Sequence, residues 1–106
     1  MKLRGFIFTE TAKADFANLR DFLIKEAGLQ VASKQTAHIS KCIRRLINHP
    51  QSAPVVITGP IEFRQSIVGR YLVYSTANGD RLAIISIRHS AQDKDFDSLA
   101  QLANKV

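Results

Sequence analysis

The chain has 106 residues, of which 45% are hydrophobic and 23% charged, so its size and composition predict one globular domain over residues 1–106. It has no apolar run near the roughly 20 residues that a membrane helix needs, and its start lacks the long apolar stretch of a signal peptide. The single cysteine, Cys42, cannot form an internal disulfide. These features predict a cytoplasmic protein that does not enter a membrane.

The net charge of +6 is unevenly distributed. Residues 27–92 contain eight basic and only two acidic side chains, whereas residues 1–26 contain five and four, and residues 93–106 two and three. A surplus this local suits a polyanionic partner, either nucleic acid or an acidic protein segment. The alternative is a basic surface that only keeps the protein soluble.

The first half of the chain predicts a strand and two helices. Residues 3–8 are apolar and rich in Phe and Ile, which is typical of a strand. Apolar residues then recur at helical spacing over 10–26, until Gly28 ends the helix. A second amphipathic helix is predicted over 29–48. Two helices joined this tightly form an antiparallel hairpin.

In the second half the pattern changes to a period of two, which predicts strands. Residues 55–58 form a short strand, and 70–76 and 81–89 are the nearly continuous apolar runs expected of central strands. Asn78-Gly79 predicts a hairpin with a type I′ turn. The strand that follows Pro60 is expected to carry two sets of side chains on opposite faces. One set is Ile61, Phe63 and Ile67, and the other is Glu62, Arg64 and Ser66.

The last segment has apolar residues in helical register, which predicts a short C-terminal helix within 93–106. The predicted fold class is therefore α+β. It consists of an N-terminal strand, a helical hairpin, an antiparallel β-meander and the short C-terminal helix. The hairpin is expected to pack on one face of an antiparallel sheet.

Several short motifs, taken in order, resemble the RelE/ParE toxin superfamily. None is specific alone, but their order and spacing extend along nearly the whole chain. The resemblance implies the toxin of a type II toxin-antitoxin system, held inactive by an acidic cognate antitoxin. The motifs are Phe8-Thr9-Glu10 and Asp15-Phe16 in the first helix, His49-Pro50 after the second, Phe63-Arg64, Gly69 and Tyr71-Leu72-Val73-Tyr74 in the central strands, and Ile87-Arg88-His89 in the last strand.

The superfamily contains two activities. RelE-like members are ribosome-dependent endoribonucleases that cut mRNA, and ParE-like members inhibit DNA gyrase by binding it. This chain departs from the ribonuclease pattern, because Tyr71 and Gln92 stand where an Arg is usual. The resemblance therefore favours a ParE-like gyrase inhibitor. A RelE-like enzyme acting on the ribosome and mRNA, and a non-toxic remnant that only binds a partner, stay open as alternatives.

A ribonuclease would need a base, an acid and cations for the charge that develops on the phosphorus oxygens. The catalytic candidates in that case are Glu62, Arg64, Arg70 and His89. Glu62 would act as the base and His89, whose pKa is ordinarily near neutrality, as the acid. The structural alternative is a weak Glu62–Arg64 ion pair on a solvated face, with His89 closing the strand end.

A toxin that acts by binding would use basic and aromatic side chains to contact its target or antitoxin. The candidates are Lys34, Lys41, Arg44, Arg45, Arg64, Tyr71, Arg88 and His89. The first four lie opposite the apolar stripe of the second helix, where a solvated helix face is also expected. Tyr71 and Tyr74 point to opposite faces, and sheet packing is the favoured role of both.

A metal site is not expected from the sequence. His38 and Cys42 lie four residues apart on one helix, but two ligands do not make a site, and the spacing suggests no third. No cofactor motif is present in the sequence either, so neither a metal nor a cofactor is predicted.

Overall fold

The computed structural model describes residues 3–58 and 61–89, in which two helices pack on one face of a five-stranded sheet. The elements are β1 Gly5–Phe8, α1 Glu10–Ala27, α2 Leu29–Asn48, β2 Val55–Ile57, β3 Phe63–Val68, β4 Tyr71–Asn78 and β5 Arg81–His89. The strand order across the sheet is β1-β5-β4-β3-β2. This confirms the predicted α+β fold and its element order through the last strand.

Both helices begin and end at residues that explain their bounds. The Thr9 hydroxyl accepts a hydrogen bond from Ala12 N (3.1 Å) and donates one to Ile85 O (2.9 Å), which ties the start of α1 to β5. Gly28 has a φ of 93°, a conformation that favours glycine, and its N–H donates to the carbonyls of Leu23 and Ile24. The chain therefore reverses direction at Gly28 and enters α2 at the next residue.

The strands β2 to β5 form the predicted antiparallel meander. The predicted type I′ turn at Asn78-Gly79 is wrong in type and position. Asn78 pairs with Arg81, so the two turn residues are Gly79 and Asp80, and among the described residues only glycines have positive φ. Gly79, with a φ of 63°, takes the first turn position, which is the pattern of a type II′ turn.

The sheet is mixed, so the expectation of a wholly antiparallel sheet is wrong for one strand. β1 pairs with β5 in parallel, with Phe6 beside Leu82 and Phe8 beside Ile84. A parallel pair needs a long connection, and the helical hairpin together with the meander provides it. The N-terminal strand thereby becomes one edge of the sheet, while β2 forms the other edge.

The two faces of the sheet carry separate apolar clusters. Val73, Leu82, Ile84 and Ile87 belong to the cluster that contains the buried residues of the helices. The second cluster consists of Phe63, Leu72, Tyr74, Ala83 and Ile85. Tyr71 lies in the first cluster and Tyr74 in the second, which confirms their predicted opposite orientations.

The two faces of β3 do not divide into a buried apolar face and a solvated polar face. Phe63 is buried, but Ile67 is 69% exposed and Ile61 is exposed as well, while Ser66 from the expected polar face is buried. Ser66 pairs with Val73, whose side chain belongs to the helix-covered cluster. The helix-covered face therefore carries Ser66 together with the partly buried Val68, because the helices pack there.

The predicted C-terminal helix lies outside the described residues. Within residues 3–58 and 61–89, neither helix is long and apolar enough to cross a membrane.

Candidate functional site

Two clefts lie at opposite ends of the sheet, and each contains some of the predicted site residues. The first, here the α1–β5 cleft, has a volume of about 680 Å³ and lies between α1 and the end of β5. It is lined by Thr11, Asp15, Asn18, Leu19, Phe22, Tyr71, Ser86, Ile87, Arg88 and His89. The second, the β3 cleft, has about 370 Å³ and includes Glu62 and Arg64.

A hydrogen-bonded network crosses the floor of the α1–β5 cleft. Asp15 Oδ2 accepts bonds from the Ser86 hydroxyl (2.8 Å) and the Ile87 backbone N–H (3.0 Å), and Arg88 Nε donates to the same hydroxyl at 3.2 Å. The carboxylate of α1 is thus held by two donors of β5. The network holds the Arg88 side chain in place, and Arg88 and the half-buried His89 both line the cleft.

Two rings also line the α1–β5 cleft. Tyr71 and His89 are paired across β4 and β5, with ring centroids 5.4 Å apart in a T-shaped arrangement. Burial raises the pKa of the Tyr71 phenol above its ordinary value, and the Arg70 charge partly opposes that shift. Tyr71 therefore stays neutral, so it offers the cleft an uncharged aromatic surface.

Arg64 has a structural role in the β3 cleft. Its Nη1 donates to the carbonyl of Ala53 at 2.6 Å and, more weakly, to that of Gln51 at 3.4 Å. Its Nη2 lies 3.9 Å from Glu62 Oε2, a loose pair in which the Glu62 side chain is 59% exposed. Such a pair contributes little free energy, so the main work of Arg64 is to hold the loop after α2 against β3.

The four candidate catalytic residues do not converge on one site. Glu62 and Arg64 lie at the beginning of β3, whereas Arg70 is in the turn after β3 and His89 is at the end of β5. Val68 pairs with Tyr71, and Tyr71 pairs with His89, so His89 lies at the far end of β3 from Arg64. Four residues of a strand separate the backbones by about 13 Å.

The basic residues of α2 form a separate surface. Lys34, Lys41, Arg44 and Arg45 are all exposed, as their position opposite the buried stripe predicts. The buried residues of the helix are Ala32, Ile39, Cys42, Ile43 and Leu46. Neither cleft includes any of these four cations, so the helix presents them away from both.

No cluster of three or more metal-ligating side chains occurs in residues 3–58 and 61–89. His38 is exposed whereas Cys42 is buried in the core, so the two side chains do not share one accessible surface despite their spacing.

Sequence reasoning missed Asp15, Ser86 and Phe22 as site residues. Asp15 lies three residues after Ala12 and four before Leu19, both buried, which places a carboxylate on the apolar face of α1. An acid on that face must find hydrogen-bond donors, and this expectation would have identified it. Phe22 follows no such pattern, because only the packed structure shows that its side chain is 56% exposed beside the cleft.

The fold is similar to that of a solved toxin-antitoxin structure. It matches a solved structure described as "Chromosomal ParDE TA system from P. aeruginosa", with a TM-score of 0.69 over 82% of this chain and 96% of that chain. The sequence identity is 19%, so this similarity concerns the fold. No curated protein sequence matches the chain closely enough to count as a relative.

The family follows from the sequence itself. Residues 6–94 match the family model described as the ParE toxin of type II toxin-antitoxin system, parDE. The chain belongs to this ParE toxin family. The resemblance expected from the short motifs is therefore confirmed, as is the preference for ParE.

Proposed function

We propose that the chain is a toxin that inhibits DNA gyrase by binding it, catalyses no reaction itself and is neutralised by a cognate antitoxin. One observation carries the proposal. Glu62 and Arg64 lie at the opposite end of the sheet from Arg70 and His89, so the candidate base and acid do not face a common substrate. Arg64 is moreover bound to backbone carbonyls. A toxin whose candidate catalytic groups are separated in this way inhibits its target by binding, and the proposed place of action is the cytoplasm, where gyrase is found.

The antitoxin is the partner proposed for the α1–β5 cleft. Leu19, Phe22 and Ile87 provide apolar surface, and Arg88 adds a cation at the wall. Protein interfaces combine an apolar centre with a polar rim in this way. An acidic antitoxin segment that places an apolar side chain against Phe22 and a carboxylate near Arg88 fits the cleft by both shape and charge.

The proposed target is tested by inducing the chain in a bacterial host and pulse-labelling DNA and protein synthesis in parallel. A gyrase inhibitor arrests DNA synthesis first and causes DNA damage while translation continues. With purified gyrase, the chain is expected to block supercoiling or to accumulate cleaved plasmid. Early arrest of translation with cleaved mRNA would instead establish the ribonuclease alternative, and unimpaired growth would indicate a remnant that only binds a partner.

A double variant separates the two toxic mechanisms. Arg70→Gln with His89→Gln removes one end of the candidate catalytic set, and an RNA-cleaving enzyme should lose its activity. Retained arrest of DNA synthesis in this variant is the result expected of a binding toxin. The matched control is Arg81→Gln with His49→Gln, because both of those residues are exposed and lie outside the candidate catalytic set.

A further inference from the structure

A straight row of positive charge runs along the outer surface of α2. Lys34, Lys41 and Arg45, with His38 between the first two, are spaced by four, three and four residues. At about 100° per residue they lie within roughly 60° of one another around the helix axis, and Arg44 flanks the row. The row from Lys34 to Arg45 is about 16 Å long at 1.5 Å per residue.

The charge of this α2 row is not compensated by its surroundings in the described part of the chain. α2 contains no Asp or Glu. The ion pairs formed among residues 3–58 and 61–89 are Arg4–Asp80, Lys13–Glu10 and Arg64–Glu62, and none includes α2. A charged helix face that only contacts water normally mixes both signs, as α1 does with four acidic and three basic residues.

The α2 row also lacks the apolar centre of a protein interface. The positions beside it are small or polar, including Ala37, Ser40 and Asn48. The exposed apolar side chains of α2, Leu29 and Val31, lie in the first turn of the helix before Lys34. A purely cationic strip with no apolar centre suits a phosphate backbone, which is recognised mainly by Lys and Arg.

We propose that the α2 row binds the phosphate backbone of duplex DNA, independently of any protein target. A duplex fits better than a single strand for two reasons. Single strands are held mainly by Phe, Tyr and Trp side chains that stack on bases, and α2 contains none of these three residue types. A rigid helix also matches the regular phosphates of a duplex, whereas a flexible strand gains nothing from a straight row of charges.

The experiment measures binding of the full-length chain to a fluorescent 20-base-pair duplex as a function of salt concentration, without gyrase. Four phosphate contacts, one each from Lys34, Lys41, Arg44 and Arg45, predict a slope of log affinity against log salt concentration of about −3.6. This slope corresponds to about a 150-fold loss of affinity between 50 and 200 mM salt. The triple variant Lys34→Gln, Lys41→Gln, Arg45→Gln keeps only the Arg44 contact. Its loss of affinity over the same salt range is expected to be about 3.5-fold.

The matched control is Lys13→Gln, Arg20→Gln, Lys25→Gln, which removes three exposed cations from α1 instead. Both triple variants lower the net charge from +6 to +3, so a difference between them reports position and not total charge. Circular dichroism verifies the fold of each. The control is expected to keep most of the slope of the unchanged chain.

Three outcomes would overturn the proposal. The first is an equal loss of slope in the two triple variants, which would mean a non-specific effect of net charge. The second is tighter binding to single-stranded RNA than to the duplex. The third is displacement of the duplex by poly-glutamate at equal charge, which would make the row a surface for an acidic protein. Because gyrase is absent, a failure here leaves the proposed target unaffected, and the reverse also holds.

Discussion

The two helices of the hairpin have similar lengths but different surfaces. α1 carries four acidic and three basic residues, is capped by a side chain and turns Asp15 and Phe22 toward a cleft. α2 carries four basic residues and no acidic one, and its N-cap is Gly28, which makes no side-chain hydrogen bond. One hairpin therefore presents two chemically distinct surfaces. α1 borders a partly apolar cleft that suits a protein, and α2 carries a cationic row that suits a polyanion.

The contrast extends to the core. α2 buries five residues and α1 buries three, so α2 contributes more fully buried side chains to the core. Because the buried and charged sides of α2 are opposite one another, the helix can carry an uncompensated row of cations without losing its attachment. Burial of the apolar side of α2 stabilises its position on the sheet, and the cations on the opposite side are exposed and accessible to a partner.

The largest expected effect tests this contrast in the core. Leu46→Ala, in α2, removes a side chain that is fully buried. We expect it to lower the free energy of unfolding by about 2–5 kcal/mol, because the contacts are lost and a cavity stays behind. Urea denaturation of the purified chain measures this. Leu29→Ala, at an exposed position of the same helix, is the control. An equal loss of unfolding free energy in that variant would contradict the claim that the buried side of α2 stabilises the fold.

The next effect concerns the carboxylate that joins α1 to β5. Asp15→Ala leaves the Ser86 hydroxyl and the Ile87 N–H without their acceptor, and we expect a loss of about 2 kcal/mol of stability. The comparison is Asp21→Ala, at an exposed position of α1, which should change stability by less than about 0.5 kcal/mol. If the two variants unfold at the same urea concentration, Asp15 does not join the helix to the sheet.

A smaller effect is expected on binding at the α1–β5 cleft. Phe22→Ala removes its exposed aromatic surface and should weaken the antitoxin complex about tenfold, equivalent to about 1.4 kcal/mol. Isothermal titration of the chain with its cognate antitoxin measures this. Ile67→Ala is the matched control, since Ile67 is 69% exposed on β3 away from the cleft. A weaker complex only in the Ile67 variant would place the antitoxin elsewhere.

The smallest effect concerns the two buried phenols. Burial raises the pKa of Tyr71 and of Tyr74 above the ordinary value near 10, while Arg70 and Arg88 respectively oppose the shift. The unfolded chain therefore ionises first, so stability is present below pH 10 and decreases as the pH rises above it. Ultraviolet titration of the tyrosines should show later ionisation in the folded chain than in denaturant. Identical titration curves would contradict the burial of both rings.

The sequence alone determined the parts of the fold that depend on local periodicity. The second helix has the predicted bounds, and the first extends only one residue further, because glycine and apolar spacing act within a few residues of the chain. The antiparallel meander followed from alternation and turn residues in the same way. The exposure of Lys34 and Lys41 was equally readable, since a helix that buries one side exposes the other.

Strand pairings and side-chain contacts between residues distant in sequence were visible only in the tertiary structure. The parallel pairing of β1 with β5 joins residues more than seventy positions apart, and no local pattern encodes that choice. The same holds for the bond from Asp15 to Ser86 and for the separation of Arg64 from His89. Residue types identify candidates for chemistry, but the strand register decides which candidates meet, because one strand holds its two ends many ångströms apart.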